Sequence, residues 1–86
     1  MKKNAEKMPK QVRPSFVPGK SQAYLTQGKA YDLIETHTTI ENGVTYKWGA
    51  IIDDEGDRIS AIWEGTSPSH LYDHKTGEQG IWEPIY

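Results

Sequence analysis

The chain has 86 residues, enough for one small domain, and a formal net charge of −2. It contains no cysteine, which excludes a disulfide framework, a thiolate metal site and a cysteine nucleophile. No apolar run approaches the roughly 18 residues needed to cross a bilayer, and no apolar segment follows the basic N-terminus. The sequence therefore predicts neither a membrane span nor a secretory signal, and it fits a cytoplasmic protein.

Charge divides the chain into a basic arm, residues 1–21, and an acidic body, residues 22–86. Residues 1–20 hold six basic side chains against one glutamate, a sum of +5, and residues 21–86 hold four against eleven carboxylates, a sum of −7. We expect the Pro- and Lys-rich arm to be disordered or extended. It can contact nucleic-acid phosphates, rest on its own domain or only aid solubility. Its basic residues include Lys2, Lys3, Lys7, Lys10 and Arg13.

The first third of the body contains two turn signals and one short strand. Phe16 and Val17 are an apolar pair in the arm, which can dock on the body or anchor in a partner. Residues 26–29 predict a turn that pivots on a glycine, and residues 30–35 predict a strand. We expect residues 36–43 to form a loop or a frayed continuation of that strand, which ends in an Asn-Gly turn signal.

A β-hairpin over residues 44–63 is the clearest predicted element. Apolar and polar residues alternate with a period of two on both sides of an acidic turn at residues 53–57. Gly56 can supply the positive φ that such a short turn requires. The sequence predicts that one face of the first strand points into the core; this face comprises Val44, Tyr46, Trp48, Ala50 and Ile52.

The last part of the chain contains two breaks and a closing strand. Pro68 can begin a single helical or 3₁₀ turn over the next three residues. Residues 73–80 predict a polar turn, and residues 81–85 predict a short strand, in which Pro84 favours a sheet edge. No segment has helical periodicity. Four or five short strands in about 65 residues therefore predict an all-β fold, a small antiparallel SH3-like barrel.

The turns also carry a resemblance to a known group of proteins. Residues 23–86 resemble small SH3-like barrel proteins encoded by bacteria and often by their phages. The matching residues are Leu25-Thr26-x-Gly28-Lys29-x-Tyr31-x-Leu33-Ile34 and Ile51-Ile52-Asp53-Asp54-Glu55-Gly56. Pro68-Ser69-His70-Leu71-Tyr72 is similar to the Pro-Ser-x-Tyr turn of eukaryotic SH3 domains.

The resemblance implies a non-catalytic binding module, because phage members of this group are often small inhibitors or modulators of host proteins. The chain lacks the Ala-Leu-Tyr-Asp-Tyr segment and the paired tryptophans of peptide-binding SH3 domains. The resemblance therefore does not extend to classical binding of proline-rich peptides.

Catalytic and metal-binding patterns are weak in this sequence. His70 and His74 have zinc-ligand spacing on a helix, but a proline before them and a glycine after them argue against one. The acidic turn lacks the glycine that an EF-hand requires at its sixth position, which Arg58 occupies here. There is no nucleophile arrangement and no Gly-rich phosphate loop. We therefore expect no enzyme activity, no metal and no cofactor.

Aromatic residues suggest protein binding as the function. Three tryptophans and five tyrosines exceed what a small core encloses, and such residues dominate protein–protein interfaces. The favoured hypothesis is a protein–protein interaction module. Such a module could act as a phage-encoded inhibitor, and it could form a homodimer. Nucleic-acid binding through the arm and a structural homo-oligomer are the alternatives. The predicted partner-binding residues are Trp63, Tyr72, Trp82, Tyr86, Asp54 and Glu55.

Overall fold

The computed structural model describes residues 7–65 and 69–86, which fold into two three-stranded antiparallel sheets. Two single 3₁₀ turns, Gly19–Ser21 and Ser69–Leu71, join the strands, and the described residues contain no α-helix. The six strands are β1 (Gln11–Pro14), β2 (Tyr31–Asp32), β3 (Glu35–Glu41), β4 (Val44–Ile52), β5 (Arg58–Glu64) and β6 (Trp82–Ile85).

The first sheet has the strand order β2-β1-β6, so its central strand comes from the predicted arm. Val12 pairs with Tyr31 on one side and with Pro84 on the other. Val17 is also buried and Phe16 is partly buried, so the expected docking on the body is confirmed for Val17. The domain boundary predicted at residue 21 is therefore wrong for residues 11–21. β1 is the central strand, and both edge strands of this sheet are hydrogen-bonded to it.

The second sheet has the order β3-β4-β5 and confirms the predicted hairpin. Gly56 has a φ of 86° in the turn between β4 and β5. Asn42 and Gly43 have φ values of 51° and 80°, the pair of positive angles of a type I′ turn. That turn makes residues 35–41 a regular strand, β3, rather than the predicted loop or frayed continuation.

The core lies between the two sheets. Ile51 and Ala61 contribute to it from the second sheet, and both are fully buried. Trp48 and Tyr46 lie on the opposite side of β4 and are only partly buried, while Ile52 is 45% exposed. Of the predicted inward face of β4, only Ala50, at 3% exposed, is buried, and the prediction is wrong for the other four residues. The buried cluster comprises Val12, Val17, Leu25, Tyr31, Ile51, Ala61, Leu71 and Trp82.

The all-β antiparallel class is confirmed, and the described residues form six strands instead of the expected four or five. Neither sheet closes on itself within residues 7–65 and 69–86, because β2, β3, β5 and β6 each have one sheet neighbour. The 3₁₀ turn at Ser69–Leu71 lies where it was predicted, although Pro68 itself is outside the described residues. The described part of the chain has no helix long and apolar enough to cross a membrane.

Candidate protein-binding face

The outward face of the second sheet is the side that points away from the core. Cross-strand pairs place His37 opposite Trp48 and Trp48 opposite Ile62 on this face. Side chains two residues apart share a face, so the same side continues along each strand. The outward face therefore includes Glu35, His37, Thr39 and Glu41 from β3, Tyr46 and Trp48 from β4, and Ser60 and Ile62 from β5.

Trp48 is at the centre of this face. The His37 imidazole stacks on its indole, with ring centroids 4.5 Å apart and planes inclined by 29°. A bulge in the β4–β5 ladder lies between Lys47 and Trp48, and bulges redirect the side chains next to them. The indole is therefore held by a neighbouring ring while it remains partly open to solvent.

A groove of about 410 Å³ begins at Trp48 and runs over the outward face. Tyr46, Trp48 and Ile62 form its apolar part, and Glu41 adds a carboxylate. All its lining residues belong to the second sheet; they are Thr39, Glu41, Tyr46, Trp48, Ser60 and Ile62. The arrangement offers an apolar floor with an acidic side chain, which suits an apolar group next to a positive charge.

Gly65 positions the Tyr46 side of the groove. Its φ is 118°, a value that L side chains rarely adopt. A Cβ at this position would lie 2.7 Å from Cδ2 of Tyr46. The Tyr46 ring therefore packs against the backbone after β5 only because residue 65 has no side chain.

Ion pairs neutralise the basic side chains of the second sheet. Arg58 pairs with Glu35, and Nε2 of His37 lies 3.4 Å from the same carboxylate. Lys47, on the core side, is 3.6 Å from Glu64. Glu41 has no ion-pair partner among the described residues. The groove therefore carries a net negative charge.

The predicted aromatic partner-binding residues do not form one surface. Trp82 is 1% exposed in the core, so its assignment to an exposed face is wrong. Trp63 packs against the core, and its Nε1 is buried. Tyr72 is partly buried, with its ring 4.7 Å from that of His74. Only Tyr86, at 59% exposed, is open to solvent as expected.

Asp54, one of the two predicted acidic contact residues, is bonded to other residues of the fold. The Asp54 carboxylate accepts hydrogen bonds from Lys29 Nζ at 2.7 Å, Thr26 Oγ1 at 2.6 Å and the Tyr31 hydroxyl at 3.0 Å. Lys29, followed by Thr26, lowers the pKa of Asp54. Glu55 is exposed and donates only its backbone N–H, to Asp53. Of the two predicted acidic residues, Glu55 is therefore the one left for a partner.

Part of the predicted basic arm belongs to the folded domain. Arg13 lies in β1 and pairs with Glu83 at 3.2 Å. Lys10 is exposed, and its backbone N–H bonds to the carbonyl of Ile85. Lys7 is exposed, whereas Lys2 and Lys3 lie outside the described residues. The part of the arm that the structure describes is thus β1 and the residues that lead into it. Few of its basic side chains are available to a partner.

A second hollow adjoins Trp48 on the side of the Ser69–Leu71 turn. Nδ1 of His70 is 3.1 Å from the Tyr24 hydroxyl, which is 3.2 Å from Ser21 Oγ. Burial, helped by the charge of Lys20, lowers the pKa of His70. Across residues 7–65 and 69–86, no three His, Asp or Glu side chains converge as metal ligands.

Comparison with protein-family models, curated proteins and solved structures gives no match for this chain. The assignment of a function therefore rests on the outward face itself. Sequence reasoning found Tyr46 and Trp48 but placed them inside. The composition of β3 could have corrected this placement. The four β3 residues that pair with this face are all polar; they are Glu35, His37, Thr39 and Glu41.

Proposed function

We propose that this domain is a non-catalytic protein–protein interaction module that binds its partner through the outward face. The observation that supports the proposal is the partly exposed Trp48, flanked by Tyr46 and Ile62 in a groove whose described lining belongs to the second sheet. Tryptophan and tyrosine supply large contact area with little loss of side-chain freedom, and they dominate interface energetics.

The charge of the groove favours a partner segment that is apolar with a neighbouring Lys or Arg. The apolar group would cover Trp48 and Ile62, and the cation would approach Glu41 and the Tyr46 ring. The same acidic character opposes nucleic acid, whose phosphates would be repelled by Glu41. A protein partner therefore fits this face better than a nucleic acid does.

The two packed sheets are compatible with the SH3-like resemblance without requiring a closed barrel. On that basis the proposal extends to a small modulator of a larger bacterial protein, encoded by a phage and acting in the host cytoplasm. Occupation of a host surface by an aromatic face needs no catalytic group, which suits a chain of this size.

The test is capture from bacterial lysate with the full chain, Trp48→Ala and Tyr86→Ala, each with and without nuclease. The two variants each remove one exposed or partly exposed aromatic ring, and NMR spectra would establish that both remain folded. We expect one protein that survives nuclease, is lost with Trp48→Ala and is kept with Tyr86→Ala. Loss only with Tyr86→Ala would overturn the assignment of the face, and loss with nuclease would indicate nucleic acid.

A further inference from the structure

The far end of the β3–β4 hairpin extends beyond the core. Every residue from Thr38 to Thr45 is exposed, including Ile40 at 70% and Val44 at 40%. The principal extents of the molecule are 45 × 27 × 18 Å. A two-stranded ribbon with no packing on either side is marginally stable in water, so this end lacks the support that the rest of the fold has.

The free edge of β3 lacks most of the features that usually prevent strand addition, although Glu35 and Glu41 place a charge at each end. Among the described residues β3 pairs with β4 alone, over seven residues and without a bulge in that ladder. Its sequence, Glu35–Glu41, contains no proline and no lysine. Proteins normally protect such edges with proline, lysine, bulges or a covering segment. The edge is therefore open to another extended strand.

The type I′ turn decides which backbone groups are available on that edge. In a hairpin with a two-residue turn, the residues that flank the turn bond to each other, so Glu41, Thr39 and His37 direct their N–H and C=O groups to β4. Thr38 and Ile40 alternate with them, so their backbone groups point away from β4. These are the groups that a further strand would bind.

We propose that the chain forms a two-fold symmetric dimer in which β3 pairs antiparallel with β3 of a second copy, with Thr39 opposite its own counterpart. A two-fold axis perpendicular to a continuous sheet keeps both outward faces on one side. The sequence numbers of two residues that face each other across the dimer then differ by an even number. A residue such as Thr39 can therefore lie on the axis, opposite its own counterpart. Thr38 bonds to Ile40 of the second copy and Ile40 to its Thr38, which gives four backbone hydrogen bonds, two for each pair.

Charge complementarity favours this register over the neighbouring one with Thr38 on the axis. It places His37 opposite Glu41 of the second copy, twice, so that an imidazole N–H can donate to a carboxylate. The next register, with Thr38 on the axis, would set Glu35 opposite Glu41 at both ends. Like charges directly opposite each other destabilise a sheet, whereas Thr–Thr and β-branched pairs stabilise it. The edge therefore complements itself in the Thr39 register.

The dimer would support the exposed hairpin and join the two binding faces. The second sheet would become six-stranded, and Ile40 would be covered by the second copy. Thr39 and Glu41 belong both to this edge and to the groove, so the two grooves would lie beside the axis on one surface. This inference goes beyond the proposed function, because dimerisation and partner binding can each occur without the other.

The first test measures the molar mass of the full chain by sedimentation over a concentration series. We expect twice 9.8 kDa at high concentration, with dissociation in the micromolar range, and a monomer throughout for Ile40→Lys. Ile81→Lys is the matched control, because Ile81 is also exposed, at 54%, and is not on β3. A wild-type monomer at every concentration, or equal weakening by both variants, would overturn the proposal.

The second test measures the register with single cysteines, which the chain otherwise lacks. Opposed residues in a non-hydrogen-bonded antiparallel pair have Cα atoms about 4.5 Å apart, within the disulfide range of about 4.4–6.8 Å. Thr39→Cys should therefore form an intermolecular disulfide faster than Thr38→Cys, and Thr45→Cys on β4 should be slowest. Fastest crosslinking of Thr45→Cys or Thr38→Cys would contradict the pairing described.

Discussion

The Tyr31 hydroxyl donates a hydrogen bond of 3.0 Å to Asp54 and accepts one of 2.8 Å from the Thr26 backbone N–H. One buried phenol thus ties the tip of the β4–β5 hairpin to the turn that precedes β2. The backbone N–H of Asp54 also bonds to the carbonyl of Tyr24. The acidic tip is therefore part of the joint between the two sheets.

Tyr31→Phe should reduce the free energy of unfolding by about 1–2 kcal/mol, because it leaves the Thr26 N–H without an acceptor and Asp54 without one donor. Urea denaturation would measure the change. Tyr72→Phe is the control, because within residues 7–65 and 69–86 no hydrogen bond from its hydroxyl holds two segments together, and it should stay within about 0.5 kcal/mol of wild type. Equal effects of the two variants would show that the joint does not stabilise the fold.

His70 should make the domain less stable in mild acid. Its pKa in the folded state is lowered by burial and by Lys20, from an ordinary value of 6.5, and Tyr24 bonds to its ring. The unfolded chain then binds a proton more readily, so stability present above pH 6.5 is lost as the pH falls through the folded pKa. The nearby groups are Ser21, Tyr24, Lys20 and Asp53, of which only Asp53 opposes the shift.

His70→Gln should flatten this dependence, measured as the difference in urea midpoint above and below pH 6.5. His74→Gln changes an exposed imidazole near the same turn and should leave the wild-type difference in place. An unchanged difference in His70→Gln would assign the acid sensitivity to other groups.

Gly80→Ala should destabilise the fold by about 1–3 kcal/mol, the usual cost of overpacking. A Cβ at Gly80 would collide with the backbone carbonyl of Phe16, which cannot move without shifting the segment that follows β1. Gly19→Ala is the matched control, because a Cβ there meets nothing within 4 Å. Thermal denaturation of both variants compares them directly, and a similar Tm for the two would refute the close contact.

Trp82→Ala should cost about 3–5 kcal/mol, enough to unfold much of a small domain, because it empties the centre of the core. Tyr86→Ala, four residues later and exposed, should be nearly neutral. Circular dichroism and urea denaturation would distinguish them. If Trp82→Ala stayed as stable as Tyr86→Ala, Trp82 would belong on the surface, as its sequence position had suggested.

The turns of this fold could be predicted from the sequence, because their residues act locally. Asn42-Gly43 and Gly56 adopt positive φ at low cost whatever surrounds them, and both turns form as expected. The orientation of β4 could not be predicted in the same way. A period of two shows that Tyr46 and Trp48 share a face, but Ile51 on the other face is equally apolar, and only the packing of the first sheet against β4 decides which side is inside.

The central strand β1 was missed for a related reason. Its four residues, Gln11–Pro14, include a proline and an arginine and are too few for their alternation to be recognised as a strand. They form a strand because β2 and β6 are both available to pair with them, which is a property of distant segments. The candidate face was likewise predicted only in part. Glu41 and Ile62 belong to it because their strands lie on either side of β4 in the sheet.

The pairing of β1 with β6 joins Gln11 to Ile85, two residues far apart in the sequence. During translation β1 leaves the ribosome long before its main neighbour is made, and its only other neighbour, β2, offers two residue pairs. The β4–β5 hairpin, whose contacts are local, can form while synthesis continues. The first sheet must wait until β6 has been synthesised, so we expect it to form after the β4–β5 hairpin, and slowly, as contacts of large sequence separation require.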